Sequence, residues 1–189
     1  MASGRSLRVL HLYPELLNLY GDSGNVLVLR RRLEWRGIAC DVREVHMGER
    51  ASLADVDLAF IGGGTEREQC IVCDELRVQQ PELAAFVEDG GVLLAVCGGY
   101  QLLGHSYLMG DKEVHGLSLV DLYTDRGSPR LIGNVVVESR IARQRTEDDH
   151  AQRRSFYNSP TIITQGFAKS KCKMGIFITL LPSFRWLRN

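Results

Sequence analysis

The sequence lacks long apolar runs and lacks an excess of charge of either sign. No stretch reaches the roughly 18 consecutive apolar residues that suggest a membrane-spanning helix, and the start MASGRSLRVLHLYPELL has no small-residue cleavage site after an apolar core. Lys plus Arg and Asp plus Glu each number 23, which gives a formal net charge of zero. We therefore expect a cytoplasmic protein with no membrane insertion and no nucleic-acid partner.

Cysteine is also scarce, and its arrangement argues against a disulfide framework. The five cysteines among 189 residues are an odd, scattered set, which is typical of reduced thiols in a reducing compartment. Cys70 and Cys73 have the two-residue gap of a zinc or redox pair, but a zinc site needs two further ligands and none lies nearby in the sequence. We predict no metal site and interpret the pair as two positions of a helix.

The first 140 residues alternate short apolar runs with amphipathic segments, as in an α/β protein. Continuous or alternating apolar runs predict strands, and apolar residues at helical spacing predict helices. The predicted strands are 7–13, 38–45, DLAFIGGG (57–64), 92–96, LSLVDLY (117–123) and LIGNVVVESR (131–140). The predicted helices begin at Asp22 or Ser23, at about 67, at Pro81 and near Gly99, and the last of them includes Leu108. This order predicts a doubly wound, mostly parallel sheet with sites at the carboxyl ends of strands.

The composition changes near residue 140, and we divide the chain there. Up to Arg140 there are 14 basic and 20 acidic residues, whereas the remainder has 9 basic and 3 acidic, so the net charges are −6 and +6. The remainder is polar and aperiodic at first, and its later apolar run is broken by Pro182. We predict a domain over residues 7–140 and a divergent tail over 141–189 that is frame-shifted or disordered, which leaves the sheet incomplete at the C-terminus.

The segment GVLLAVCGGYQLLG (91–104) has Cys97 between an apolar strand and a glycine pair. A residue on such a strand-to-helix turn is exposed above the sheet, beside the backbone N–H groups and positive dipole end of the following helix. Those surroundings favour a thiolate, and Gly98 and Gly99 let a substrate carbonyl approach the backbone. The N–H of Gly98 and one from the turn 62–64 would then form an oxyanion site for acyl transfer. The alternative is that Cys97 is a small core residue and that the glycines only permit close packing.

Four blocks of the sequence are similar, in order and spacing, to one branch of the class I glutamine amidotransferases. The blocks are LYPELLNLYGDSGNVLVLRRRLEWRGI, FIGGGTEREQ, AVCGGYQLLG and RLIGN, and they lie within about residues 7–140. The chain resembles the cobyric-acid-synthase-like amidotransferases, in particular the glutamine amidotransferase subunits of bacterial lipid II isoglutaminyl synthase.

The resemblance implies a role for each matched site residue. Cys97 attacks the side-chain amide of L-glutamine, forms a glutamyl thioester and releases ammonia. Gly64 and Gly98 are the oxyanion donors, and Arg130 binds glutamine, a role that suits a guanidinium because it pairs bidentately with an α-carboxylate. As an alternative, Arg130 is a solvated arginine in a polar turn.

The resemblance also implies a partner. The ammonia passes to a Mur-ligase-like subunit, which uses ATP to amidate the D-glutamate of the lipid II stem during peptidoglycan synthesis. We therefore expect no cofactor in this subunit, with ATP bound by the partner ligase.

The general base of that family is missing from the sequence. A cysteine amidase needs a group that takes the thiol proton and later protonates ammonia, and the family supplies a histidine in a Tyr-x-His-Gly-Pro-like motif. That motif and the family's Gly-Phe-Glu-Asn-His block are absent, and no histidine follows His150. Four other histidines are poor substitutes for this base. His150 lies in a charged segment, and His105 lies about two turns along the predicted helix. His11 and His115 lie beside predicted strands.

Two functional hypotheses follow from this conflict. The first is a glutaminase subunit whose reading frame shifts near residue 140, so that the corrected frame encodes the missing motif. The second is a non-catalytic interaction protein of the same fold, which binds glutamine without turning it over.

Overall fold

The computed structural model of the chain describes residues 6–109 and 111–126, together with two-residue strands at 135–136, 156–157 and 184–185. Its centre is a four-stranded sheet in the order β2-β1-β3-β4, in which every pairing is parallel. The strands are β1 (Ser6–Leu12), β2 (Ala39–Val45), β3 (Leu58–Ile61) and β4 (Val92–Ala95). The strand order reverses at β1, which is the switch point of a doubly wound sheet. The predicted α/β fold with a mostly parallel sheet is confirmed.

The described residues form four helices: α1 (Ser23–Glu34), α2 (Glu66–Val78), α3 (Gln80–Glu88) and α4 (Gly98–Leu103). A capping box starts α2, because the Thr65 hydroxyl accepts from the Glu68 N–H and the Glu68 carboxylate accepts from the Thr65 N–H. Pro81 lies in the first turn of α3, where its missing N–H costs nothing. Asp22 is the N-cap of α1, but its side chain makes no capping hydrogen bond.

Alternate side chains of the parallel strands enter two apolar clusters, one on each face of the sheet. The larger cluster joins strand residues to α2 and α3 and includes Leu10, Leu12, Ile61, Leu93, Val72, Leu76, Leu83 and Phe86. The smaller cluster has three buried members, Val9, Phe60 and Val26 of α1. Because burying one such side chain contributes about 1.5–3 kcal/mol, the face under α2 and α3 contributes most of the described core's stability.

The chain after α4 differs from the sequence prediction. The helix ends before Gly104 and the chain enters β5 (Ser106–Met109), so neither His105 nor Leu108 lies on the helix. The reason is a long-range contact. The His105 N–H donates to the Leu122 carbonyl at 2.7 Å, and a methyl group on Gly104 would lie 2.6 Å from the same oxygen.

The segment 117–122 was predicted as a strand, and this prediction is wrong. Its backbone covers the end of α4, since Leu117 donates to the Leu102 carbonyl at 2.8 Å and Leu119 donates to the Leu103 carbonyl at 2.9 Å. The strand starts only at Tyr123, the last residue of the predicted strand, and continues to Arg126 within the predicted connection 124–130. The remaining strands are β6 (Lys112–His115), β7 (Tyr123–Arg126), β8 (Val135–Val136), β9 (Phe156–Tyr157) and β10 (Phe184–Arg185).

A second sheet has the order β10-β7-β5-β6 and mixes one parallel pairing, β5 with β7, with antiparallel ones. Within the part of the chain that the structure describes, no helix has the length and apolarity needed to cross a membrane. The boundary predicted at residue 140 lies outside the described residues and stays a prediction.

Candidate active site

Cys97 lies at the turn between β4 and α4, in a backbone conformation with φ 53° and ψ −121°. A residue other than glycine at such angles is strained by about 1–3 kcal/mol. The Val96 N–H donates to the Ile61 carbonyl at 2.9 Å, which extends the β3–β4 pairing, and the Gly99 N–H donates to the Val96 carbonyl at 2.9 Å. The predicted strand-to-helix turn is therefore present. The side chain, however, is only 2% exposed, so the prediction that it stands open above the sheet is wrong.

The glycine turn after β3 and the turn at Cys97 lie side by side, because Ile61 and Ala95 are register partners in adjacent strands. A methyl group on Gly63 would lie 2.8 Å from Cβ and 3.3 Å from Sγ of Cys97. A methyl group on Gly99 would lie 2.5 Å from the Gly62 carbonyl oxygen. Only glycines permit this approach of the two turns.

The thiol of Cys97 is strongly desolvated. Burial raises its pKa to about 11, a backbone hydrogen bond with Gly98 lowers the pKa, and the charge of Asp22 raises it again. The α4 helix behind the thiol has only six residues. The expectation that the turn favours a thiolate is therefore wrong for this conformation, since lost hydration outweighs the hydrogen bond with Gly98.

Asp22 is a buried carboxylate beside the same turns, with a side chain and backbone that are together 3% exposed. It accepts hydrogen bonds from the backbone N–H groups of Gly63 and Tyr20, and the Tyr20 contact is 3.5 Å. Burial raises the pKa of Asp22, and these hydrogen bonds and the charge of His11 lower it. Asp22 therefore fixes the peptide before Gly63 instead of capping α1.

Gln69 of α2 lies between the two turns and is 4% exposed. Its Nε2 donates to the Gly64 carbonyl at 2.8 Å. Its amide group is packed against Gly98, since a methyl group there would lie 2.5 Å from the Cδ of Gln69. The Oε1 of Gln69 is buried and has no hydrogen-bond partner among the described residues.

Sequence reasoning missed both Asp22 and Gln69 as parts of the site. The sequence predicts Asp22 only as a helix cap. Gln69 does give a signal, because it stands in the apolar stripe of α2 with Val72, Cys73 and Leu76, all of them buried. A polar residue at a core position of an amphipathic helix indicates a specific buried partner.

His11 lies in β1 with 1% exposure, and its ring meets Phe60 edge-on with centroids 5.2 Å apart. Burial lowers its pKa, and its Nε2 has no hydrogen-bond partner within residues 6–109 and 111–126. Strand β3 separates β1 from β4, the strand that leads to Cys97. His11 is therefore a packed histidine of the sheet.

Two other histidines lie near the end of α4 and in β6. His105 Nδ1 is 3.0 Å from the Ser118 hydroxyl, and Nε2 is 3.3 Å from the Asp121 carboxylate. The carbonyl of His115 accepts from the Cys73 thiol at 3.2 Å and from the Arg77 guanidinium. The sequence candidates Arg130 and His150 lie outside the described residues.

Cys70 and Cys73 both lie in α2, as predicted. Cys70 Sγ is 3.5 Å from Met109 Sδ, and the two cysteines make separate contacts. Residues 6–109 and 111–126 contain no group of three or more His, Cys, Asp or Glu side chains that could hold a metal ion.

Comparison with known proteins gives one family and several relatives. The model of the CobB/CobQ-like glutamine amidotransferase domain matches residues 8–156. A lipid II isoglutaminyl synthase (glutamine-hydrolyzing) subunit GatD from Staphylococcus aureus is 40% identical over 134 residues, which are 70% of this chain and 55% of that protein. The GatD subunit from Streptococcus pneumoniae is 36% identical over 135 residues, 70% of this chain and 52% of that protein.

A more distant relative is a cobyric acid synthase from Nocardia farcinica, 32% identical over 93 residues, which are 47% of this chain and 18% of that protein. The chain spans about half the length of the two GatD relatives that it matches.

Proposed function

The chain belongs to the CobB/CobQ-like glutamine amidotransferase domain family, and from that premise we propose that it is the glutaminase subunit of a two-protein ligase. Cys97 is the nucleophile and L-glutamine is the substrate. The observation that supports this most directly is the contact of Cys97 with the glycine turn 62–64 at the carboxyl ends of adjacent strands. Ligand sites of doubly wound sheets lie at such ends.

The proposed reaction proceeds through a thioester. The Cys97 sulfur, after losing its proton, forms a bond to the side-chain amide carbon of glutamine, and the carbonyl electron pair moves onto oxygen. The amide nitrogen takes up the proton that the thiol lost, and it leaves as ammonia when the carbonyl forms again and the carbon–nitrogen bond breaks. Water then attacks the thioester, releases glutamate and restores the thiol.

The developing oxyanion needs backbone donors, and the hydrogen bonds of the turn limit the choice. The Gly63 N–H is donated to Asp22, so the Gly64 N–H is the better candidate from the glycine turn. The Gly98 N–H, which is hydrogen-bonded to the Cys97 thiol, is the candidate beside the nucleophile. This supports the assignment that the family resemblance implies. A single oxyanion donor is worth roughly 10²–10³ in rate in enzymes of this chemistry. Arg130 is proposed to bind the α-carboxylate of glutamine.

The acceptor of the ammonia is proposed from the relatives. Two of them are named as subunits of lipid II isoglutaminyl synthase, and we extend that role to this chain. A Mur-ligase-like partner binds ATP and amidates the D-glutamate of the lipid II stem with the ammonia, and this subunit needs no cofactor for its own step.

Isotope transfer tests the whole proposal. The chain is mixed with a Mur-ligase-like partner, ATP, lipid II and glutamine labelled with ¹⁵N at the side-chain amide, and mass spectrometry measures the label in the stem. We expect label with wild type and with Cys73→Ala, a matched variant of an equally buried thiol, and none with Cys97→Ala. Ammonium chloride should restore amidation with Cys97→Ala, because the ligase then takes free ammonia. Equal labelling with wild type and Cys97→Ala contradicts the proposal.

A second candidate is the non-catalytic interaction protein of the same fold. It is favoured by the burial of Cys97, which is 2% exposed, and by the resulting pKa of about 11, since a neutral thiol needs a base before it can attack. Under this candidate, wild type and Cys97→Ala both fail to transfer ¹⁵N, while the partner still binds the chain and amidates lipid II with ammonium chloride.

A further inference from the structure

The side chain of Gln69 contacts both residues that are proposed as oxyanion donors, Gly64 and Gly98. We infer that Gln69 is a positioning residue that holds the two turns of the site at the spacing that thioester formation requires. The inference rests on the proposed glutaminase function and assigns part of that function to a residue outside the reacting groups.

On the side of the glycine turn, the contact is a hydrogen bond. Gln69 Nε2 donates to the Gly64 carbonyl at 2.8 Å, while the next N–H, that of Thr65, donates to the Glu68 carboxylate at 2.7 Å. The peptide between Gly64 and Thr65 is therefore held at both its oxygen and its nitrogen. The Gly64 N–H belongs to the preceding peptide, so this held plane restrains it through the Gly64 Cα, to which its nitrogen is bonded.

On the side of the nucleophile, the contact is steric. The amide of Gln69 lies against the Cα of Gly98, at a place where the turn has no room for a Cβ atom. Gly98 directly follows Cys97, so Gln69 packs against the residue that carries the second proposed donor. One buried side chain thus contacts both residues that carry the proposed oxyanion donors, one in the turn after β3 and one in the turn after β4.

The hydrogen bonding of Gln69 argues against a simple packing role. Its Oε1 is buried and has no partner among the described residues, although a buried amide oxygen without a donor is costly. A methionine or leucine would fill the same space without that cost. Gln79, at the end of α2, is also 4% exposed, but both ends of its amide are paired: Nε2 donates to the Tyr13 hydroxyl at 2.7 Å, and Oε1 accepts from the Ala51 N–H at 2.8 Å.

Two reagents for Cys97 separate positioning from general stability. Iodoacetamide needs only a reactive thiol, whereas a chloromethyl ketone analogue of glutamine also develops an oxyanion when the sulfur attacks its carbonyl. We expect Gln69→Met to lower the rate with the analogue about 10- to 100-fold, since displacements of about 1 Å have effects of this size. The rate with iodoacetamide should stay within about twofold, and Gln79→Met should leave the ratio of the two rates at the wild-type value.

The inference is overturned if Gln69→Met and Gln79→Met change the two rates in the same proportion. If Gln69→Met does not fold, Gln69→Leu replaces it, because Leu is also apolar and offers no donor to the Gly64 carbonyl. In that case the same drop in the ratio supports the inference and an unchanged ratio overturns it.

Failure of the proposed function gives a different result. In that case the wild-type chain reacts with the analogue no faster than with iodoacetamide, and L-glutamine does not protect it. Amide hydrogen exchange of segments 62–69 and 95–101 then decides on Gln69. Faster exchange in both segments with Gln69→Met, but not with Gln79→Met, supports the positioning role, and unchanged exchange overturns it.

Discussion

The glycines beside Cys97 and those in the outer turns occupy different environments. Gly48 and Gly90 have φ values of +80° and +94°, are exposed, and would meet no atom within 4 Å if they had a Cβ. Gly63 and Gly98 are buried and have no such φ, but added atoms would collide with Cys97 and Gln69. The outer glycines provide backbone freedom, whereas the glycines of the site permit close approach. Substitutions in the two groups should therefore fail in different ways.

The largest contrast is expected between Gly63→Ala and Gly48→Ala. In Gly63→Ala the new methyl group meets Cβ of Cys97 at 2.8 Å, so the two turns must separate and the rate with the chloromethyl ketone analogue of glutamine should fall about 100-fold. Gly48→Ala should react at the wild-type rate. Reactions that are quenched at set times and analysed by intact-mass spectrometry give both rates. A wild-type rate for Gly63→Ala would contradict the close contact between Gly63 and Cys97.

A double substitution shows whether the collision itself is the cause. Gly63→Ala should lower the free energy of unfolding by roughly 1–3 kcal/mol, as overpacking does. In a Cys97→Gly background, where Cβ and Sγ are gone, the same change should cost much less. Urea unfolding of the four proteins measures the coupling. Additive effects would mean that Gly63 is needed for another reason.

The outer turns should respond only in stability. Gly90→Ala forces an alanine into a left-handed conformation and should lower the free energy of unfolding by about 1–2 kcal/mol. Its reaction with the glutamine analogue should not change, and thermal unfolding beside the alkylation assay checks both. A changed reaction rate at unchanged stability would remove the distinction between the two groups of glycines.

The smallest effect is electrostatic and concerns Asp22. Its charge raises the pKa of the Cys97 thiol, so Asp22→Asn should lower that pKa while the Asn oxygen still accepts from the Gly63 N–H. The midpoint of iodoacetamide alkylation against pH should move to lower pH. Asp74→Asn, a change in a carboxylate that is 80% exposed on α2, should leave the midpoint in place. A midpoint that rises or stays constant in Asp22→Asn contradicts the assigned sign.

The order of elements up to α4 could be predicted from the sequence because the signals there are local. Apolar runs, the glycine pair after Cys97 and Pro81 each act on neighbouring residues. After Gly104 the strand prediction failed. Backbone hydrogen bonds hold the apolar segment 117–122 against the end of α4, and the segment does not pair as a strand.

Within the site, the turn at Cys97 could be predicted and its electrostatics could not. The pKa of the thiol depends on burial, which arises from packing of β3, β4 and α2 that no single segment encodes. Asp22 and Gln69 were missed because their partners lie outside their own local segments. Gly63, the partner of Asp22, is distant in sequence, and Gly64, the partner of Gln69, lies in the turn before α2.

The most direct test of the account is to locate the glutamine-reactive thiol. The chain is treated with the chloromethyl ketone analogue of glutamine, with and without excess L-glutamine or D-glutamine, and the adduct is mapped by peptide mass spectrometry. We expect modification at Cys97 that L-glutamine suppresses and D-glutamine does not. Modification spread over Cys40 and Cys70, or modification of Cys97 that L-glutamine fails to suppress, would contradict the assignment of Cys97 as the glutamine-reactive nucleophile.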